Sequence, residues 1–173
     1  GELWIANFSG RAYNWENNLV DVGQLAIWDG SNWKAGPSFT GTGTRKTPRK
    51  LYLAPDSANI VVGGEFATTV DGVDVERIFR ITPEGTVEAF QNGGLGGSFL
   101  TFGSPYVNDM AIMDSMLYMG GNFLTAGDVQ ARGFAAYDVS GWLGGGGGGP
   151  GGGFTFSLGN DTTVVNGFIL RAP

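Results

Sequence analysis

One pattern recurs three times along this chain at nearly constant spacing. It is a short apolar strand, a pair of small residues, a polar residue and a phenylalanine. The copies read Leu3-Trp4-Ile5-Ala6-Asn7-Phe8, Ile60-Val61-Val62-Gly63-Gly64-Glu65-Phe66 and Leu117-Tyr118-Met119-Gly120-Gly121-Asn122-Phe123. Their phenylalanines lie 58 and then 57 residues apart. A fixed period of this size marks stacked or radially arranged units, none of which can bury its apolar face alone. The repeat therefore constrains architecture before any residue chemistry does, and it names no activity.

Around each copy the same order of strands can be read. In the third repeat, Val107-Asn108-Asp109-Met110-Ala111-Ile112-Met113 is a first strand, Met116 to Met119 a second that ends at the glycine pair, and Gly133-Phe134-Ala135-Ala136-Tyr137-Asp138 a third. A turn at Val139-Ser140-Gly141 then leads to Trp142 and a short fourth strand. In the second repeat Arg77-Ile78-Phe79-Arg80-Ile81 is the third strand, Thr82-Pro83-Glu84-Gly85 the turn and Val87-Glu88-Ala89-Phe90 the fourth strand. The first repeat has Gln24-Leu25-Ala26-Ile27-Trp28, a turn at Asp29-Gly30-Ser31-Asn32, and a last strand opened by Trp33. Trp33, Val87 and Trp142 thus take equivalent places. Apolar and polar residues alternate, the segments are short, and no helical period appears, which predicts an all-β chain.

Four antiparallel strands per unit, packed through their apolar faces, is the plan of a propeller blade. The expected fold is three four-stranded, blade-like repeats of about 57 residues, out of phase with the chain ends. The units span roughly 1–46, 47–104 and 105–153. Residues 154–173 supply the first strand of a further or closing unit, because Val165-Asn166-Gly167-Phe168-Ile169-Leu170 matches residues 107–112 at a spacing of 58. The glycine pair lets backbones approach closely, or reach φ > 0, where a strand ends at a crowded place. The phenylalanine after it can fill the space between neighbouring units. Ile5-Ala6 stands in for the pair in the first repeat, so that strand end should be less crowded or differently bent. Three units are too few for an ordinary ring of four to eight, which implies partners or further chain. The start at Gly1 rather than Met likewise reads as a processed product or a piece of something longer.

The composition narrows the function classes. Of 173 residues 32 are Gly and only 15% are charged, while 42% are apolar, which suits many short strands joined by tight turns. The net charge of −6 provides no general footprint for nucleic acid. Arg45, Lys46, Arg49 and Lys50 form the one basic cluster, read either as a solvated loop or as a contact for an anionic partner. Cysteine is absent, so disulfides and thiolate metal sites are excluded. No run of about 18 apolar residues exists, so no segment reads as a membrane-spanning helix. Glycine-rich stretches at residues 92–97 and 144–153 read as flexible loops, or alternatively as ordered packing of extended glycine strands. The first repeat instead carries an insertion at residues 11–18.

Histidine is also absent, which removes Ser-His-Asp triads and imidazole acid–base chemistry. A carboxylate pair can hydrolyse a glycosidic bond, but the acidic residues are dispersed singly over turns. Asp71, Asp74 and Glu76 form the densest acidic group, and their spacing matches no complete Ca²⁺ ligand set. No catalytic residue, metal or cofactor is therefore expected. Tyr13 and Trp15 fall outside the repeat-equivalent aromatic positions, beside Asn14, Glu16, Asn17 and Asn18. They read as a surface for a sugar ring or a protein partner, or with Trp15 folded back over the strand edge. Asn7-Phe8-Ser9 and Asn160-Asp161-Thr162 are glycosylation sequons.

The segment Leu-Tyr-Met-Gly-Gly-Asn-Phe-Leu-Thr-Ala-Gly from Leu117 to Gly127, with Ile27-Trp28-Asp29-Gly30-Ser31-Asn32-Trp33, resembles the kelch-like β-propeller repeats of the fungal cortical cell-polarity marker family and related bacterial and algal surface proteins. The resemblance covers nearly all the chain apart from residues 11–18 and the poly-Gly run. It implies large, surface-exposed, non-enzymatic proteins whose propellers act as scaffolds or contact modules. The functional expectation is a structural or assembly module of an extracellular or cell-surface protein, such as a filament or appendage subunit. Its partners would be copies of itself or adjoining repeats of a longer chain. The alternative is a carbohydrate- or protein-binding propeller module that uses the Tyr13 and Trp15 insertion.

Overall fold

The computed structural model describes residues 1–42, 45–54, 58–90, 93–98 and 103–143, together with three short strands beyond them at 154–155, 162–165 and 168–171. The described residues are mostly β with almost no helix, as the alternation predicts, and the three main sheets are antiparallel meanders. The first contains β1 (Leu3–Tyr13), β2 (Leu19–Trp28) and β3 (Trp33–Ala35) in that order. The second contains β4 (Lys46–Leu53), β5 (Ile60–Val70), β6 (Val73–Ile81) and β7 (Val87–Ala89). After β8 (Leu95–Gly96), the third is built from β9 (Tyr106–Met113), β10 (Met116–Asn122), β13 (Phe134–Asp138) and β14 (Phe154–Thr155). Among the described residues the sheets do not close into a barrel or a ring.

Strand register fixes which residues are counterparts. Leu3 pairs with Trp28 and Trp28 with Trp33; Ile60 pairs with Ile81 and Ile81 with Val87; Leu117 pairs with Tyr137 and Tyr137 with Phe154. Trp33 and Val87 are equivalent as expected, but the third counterpart is Phe154 and not Trp142. Trp142 sits on a short helix, α1 (Ser140–Leu143), with Asp138 accepting the Ser140 N–H at 2.8 Å to start it. Its indole packs against Tyr137 and Phe90. The register also moves the first repeat by one residue: Ala6 is the counterpart of Gly63 and Gly120, and Ile5 that of Val62 and Met119.

Two further expectations change. The glycine-rich stretch between the second and third sheets is not simply a flexible loop. Leu95 is fully buried, β8 pairs with β11 (Thr125–Ala126), and β11 pairs in turn with β12 (Val129–Gln130). Gly94 at φ 78° leaves no room for a side chain against the Glu76 carbonyl. The poly-Gly run at 144–153 lies outside the described residues. At the C-terminal end, β15 (Thr162–Val165) and β16 (Phe168–Arg171) pair with each other, not as one strand across 165–170. An Asn-Gly dipeptide between two apolar runs is the strongest short hairpin signal, and Asn166-Gly167 stands there.

The second sheet lies between the other two and is apolar on both faces. Val62, Phe79, Ile81 and Val87 share a core with Leu25, Phe39, Phe66 and, from the first sheet, Trp4 and Ala6. Val61 and Ile78 point the opposite way, into a core with Val107, Met110, Leu117, Met119 and Tyr137 of the third sheet. Period-two alternation thus sends successive residues of one strand into two different cores. Phe66 sits in the first core and Phe123 in the second, both nearly or fully buried, so each fills a space between sheets as expected. Phe66 makes edge contacts with Phe39 and Phe79 at ring separations of 5.7 and 5.5 Å.

The glycine pairs owe their place to close approach rather than to φ, since none of the four lies in the left-handed region. Each pair faces a bulge in the neighbouring strand. Lys50 pairs with Gly63 and Pro48 with Gly64, leaving Arg49 as the extra residue; Asp109 pairs with Gly120 and Val107 with Gly121, leaving Asn108. A Cβ on Gly64 would stand 2.3 Å from the Thr47 carbonyl oxygen, and one on Gly121 2.1 Å from that of Tyr106. The first sheet has no such strand beside β1 among the described residues. Ala6 is tolerated there because no bulge presses on it.

Candidate functional site

Residues 11–18 form the end of the β1–β2 hairpin, which stays paired as far as Tyr13 and Leu19. Tyr13 ends β1 and pairs with Leu19, so the two side chains share a face. The amides beside them build the tip. Asn14 Oδ1 accepts the Asn18 N–H at 2.8 Å, the Asn18 side chain donates to Glu16 at 3.2 Å, and Asn17 takes φ 63°. Trp33 Nε1 donates to the Tyr13 carbonyl at 3.0 Å and ties the hairpin end to β3. Tyr13 is 64% and Trp15 77% exposed, so Trp15 does not fold back over the strand edge. The structure therefore brings Tyr13, Trp15 and Leu19 to one exposed hairpin end. Asn7 lies on β1, and Asn160 lies outside the described residues.

The acidic group in the second repeat does not converge. Asp71 accepts the Ser38 N–H at 2.8 Å, Asp74 accepts the Thr69 hydroxyl at 2.8 Å, and Glu76 accepts from Arg77 at 2.6 Å. Asp74 and Glu76 line a cleft of about 460 Å³ with Thr68, Phe90 and Gly94. Each carboxylate there already has a partner. Among the described residues no three carboxylates gather into a possible cation site.

The basic cluster has internal work. Lys46, Arg49 and Lys50 lie on β4, not in a loop. Glu65, the polar residue of the repeat motif, is buried and accepts from Arg45 and from Arg49 at 2.6 Å. Lys46 donates to the Phe39 carbonyl at 3.2 Å, and the Arg49 guanidinium lies 4.4 Å over the Tyr106 ring. Lys50 reaches Asp109 across the second and third sheets at 2.5 Å, and its hydrogen bond holds the Asp109 carboxyl below the usual range. In the third repeat Asn122 replaces Glu65, and its amide donates to Ser98 at 2.7 Å and to the Ser104 carbonyl at 2.9 Å. At both positions the motif's buried polar side chain fastens the chain at the start of the preceding strand, β4 or β9.

The features that sequence reasoning missed are apolar faces at the two ends of the stack. Leu3 and Ile5 are 56% and 37% exposed on the outer face of the first sheet, beside the tilted pair Trp28 and Trp33 at 5.3 Å. On the outer face of the third sheet Tyr118 stacks on Phe134 at 6.0 Å. The signal was present in the repeat itself, because the counterparts of these residues in the second sheet are buried or, for Ile60, partly buried. Among the described residues no helix is long and apolar enough to cross a membrane. No family model, curated protein or solved structure matches this chain.

Proposed function

We propose that this chain is a non-enzymatic structural module of propeller-like repeats, belonging to an extracellular or cell-surface assembly such as a filament or appendage. Each four-stranded meander is a blade, and the stack continues through copies of the chain or through adjoining repeats. One observation carries the reading: the two junctions between sheets use the same pair of faces in the same sense, and both ends of the stack leave those faces uncovered among the described residues. The edge of β1, which pairs with no further strand among the described residues, supports it. Light scattering on the isolated chain over a wide concentration range tests the reading. Growth of the scattering mass with concentration is expected, and a compact monomer throughout would refute assembly.

A second reading is favoured by the exposure of Trp15. The hairpin end with Tyr13 and Trp15 offers flat aromatic surface at small entropic cost, suited to a sugar ring or a protein partner. A glycan array probed with the native chain and with Trp15→Ala decides it. Binding lost in the variant supports a carbohydrate site, whereas absent or unchanged binding removes it.

A further inference from the structure

We propose that the outer face of the third sheet docks head to tail onto the outer face of the first sheet of a second copy of this chain. The proposal rests on the assembly reading and names its contact. On the third sheet the contact is Tyr118, Gly120 and Phe134; on the first it is Leu3, Ile5 and Trp28.

The internal junctions supply the template. From the first to the second sheet, the Trp4 and Ala6 face of one packs on the Ile60 and Val62 face of the next. From the second to the third, the counterpart face of the second, with Val61 and Gly63, packs on the counterpart face of the third, with Leu117 and Met119. Continued once more, the face with Tyr118 and Gly120 would meet a face equivalent to Leu117 and Met119. Leu3 and Ile5 are those equivalents by register, and they are exposed. The contact is heterologous, so it propagates instead of closing on a two-fold axis.

One residue marks the vacancy. A Cβ on Gly63 would stand 2.9 Å from Val107 Cγ1 and 3.1 Å from Met110 Sδ, because the third sheet packs straight onto that glycine. A Cβ on Gly120, its counterpart, would meet nothing within 4 Å among the described residues. The same small-residue hollow is filled at the internal junction and open at the end. The rim agrees with a second apolar surface: Tyr118 and Phe134 are half-buried, and Ala111, which pairs with Tyr118, is exposed.

Two charged substitutions test the contact, each at a site with room for it. Ile5→Glu blocks the first-sheet face and Gly120→Glu the third-sheet face. Far-UV circular dichroism confirms that both fold, and sedimentation velocity reads association. Native chains should form concentration-dependent series. Each variant alone should associate at least about tenfold more weakly, the effect of burying an unpaired charge. Mixed one to one, the variants should form a dimer that grows no further, since each keeps the face the other has lost. Variants that assemble as the native chain does would overturn these faces while leaving assembly standing. Variants that are each impaired but do not pair when mixed would overturn the head-to-tail sense. A native chain that stays monomeric throughout would overturn a second copy as occupant, and with it self-assembly, leaving the faces to adjoining repeats of a longer chain.

Discussion

Two adjacent glycines with opposite surroundings provide the sharpest test of how the repeat motif works. Gly120 and Gly121 occupy successive positions of β10, and neither needs positive φ. Replacing Gly by Ala at a conformationally ordinary position reduces unfolded-state entropy and stabilises by about 0.4–1 kcal/mol. Gly120→Ala should show that gain at low protein concentration, since its Cβ meets nothing within 4 Å among the described residues. Gly121→Ala places a Cβ 2.1 Å from the Tyr106 carbonyl oxygen and 3.0 Å from Val107 Cα. The obstruction is backbone, held by the β9 bulge, so no rotamer change relieves it. Overpacking of this kind costs about 1–3 kcal/mol, and at about 2–4 °C per kcal/mol for a chain of this size the melting temperature should fall by roughly 2–12 °C. The two variants should therefore sit on opposite sides of the native chain in urea and thermal unfolding. Gly64→Ala, with its Cβ 2.3 Å from the Thr47 carbonyl oxygen, should behave as Gly121→Ala does. Equal midpoints for Gly120→Ala and Gly121→Ala, or stabilisation by the latter, would refute close approach as the reason for the pair.

Glu65→Ala removes a buried carboxylate that accepts from both Arg45 and Arg49. Those guanidiniums are partly exposed and can rehydrate, so urea unfolding should show a loss of about 1–3 kcal/mol; an unchanged midpoint would mean that the ion pairs fasten nothing. Acid should destabilise the fold smoothly. The backbone N–H groups of Asn32 and Ser31 and the Lys34 ammonium lower the Asp29 pKa from 3.8 to about 2. Hydrogen bonds likewise lower Glu84 (first from Thr82), Asp109 (first from Lys50) and Asp138 (from Ser140). A carboxyl with a depressed folded pKa stabilises fully above its unfolded value, and that stability is lost as pH falls through the folded one. With no histidine in the chain, the thermal midpoint should be flat from about pH 8 to 5 and then decline towards about pH 2. A midpoint that rises on acidification would contradict this, and because these groups are exposed the decline should be shallow.

The strand plan was legible because period-two alternation and turn residues act locally. The turns at Asp29 and Thr82 fall where the sequence places them, with Asp29 accepting the Ser31 and Asn32 N–H groups at 2.9 and 2.8 Å. The fourth strand of the third sheet was not legible, because Trp142 satisfies the aromatic pattern while packing from a helix onto Tyr137 and Phe90. Phe154, the residue that pairs with Tyr137, lies beyond a glycine run that no pattern spans. The basic cluster misled for a different reason. Its charges fall in two adjacent pairs, Arg45-Lys46 and Arg49-Lys50, with no alternation to mark a strand, and the partner that absorbs two of them, Glu65, is distant in sequence. For the candidate site, Trp15 stood out as an aromatic off the repeat positions, but its exposure depended on how the asparagines close the hairpin tip.

Register carries the largest consequence for assembly. Aligning the three repeats on their phenylalanines makes Leu3 the counterpart of Val61, one residue away from the pairing in the structure, where Leu3 meets Trp28 as Ile60 meets Ile81. In a strand a shift of one residue turns every side chain to the other face. Under the phenylalanine alignment, Trp4 would match Val62, and the first and second sheets would then meet through equivalent faces, a self-complementary contact that ends in a pair. Under the observed register Trp4 matches Val61, the junctions repeat in one direction, and the stack has a head and a tail. A single residue fewer before Phe8 than before Phe66 thus decides whether the two internal junctions use their faces in opposite senses or in one.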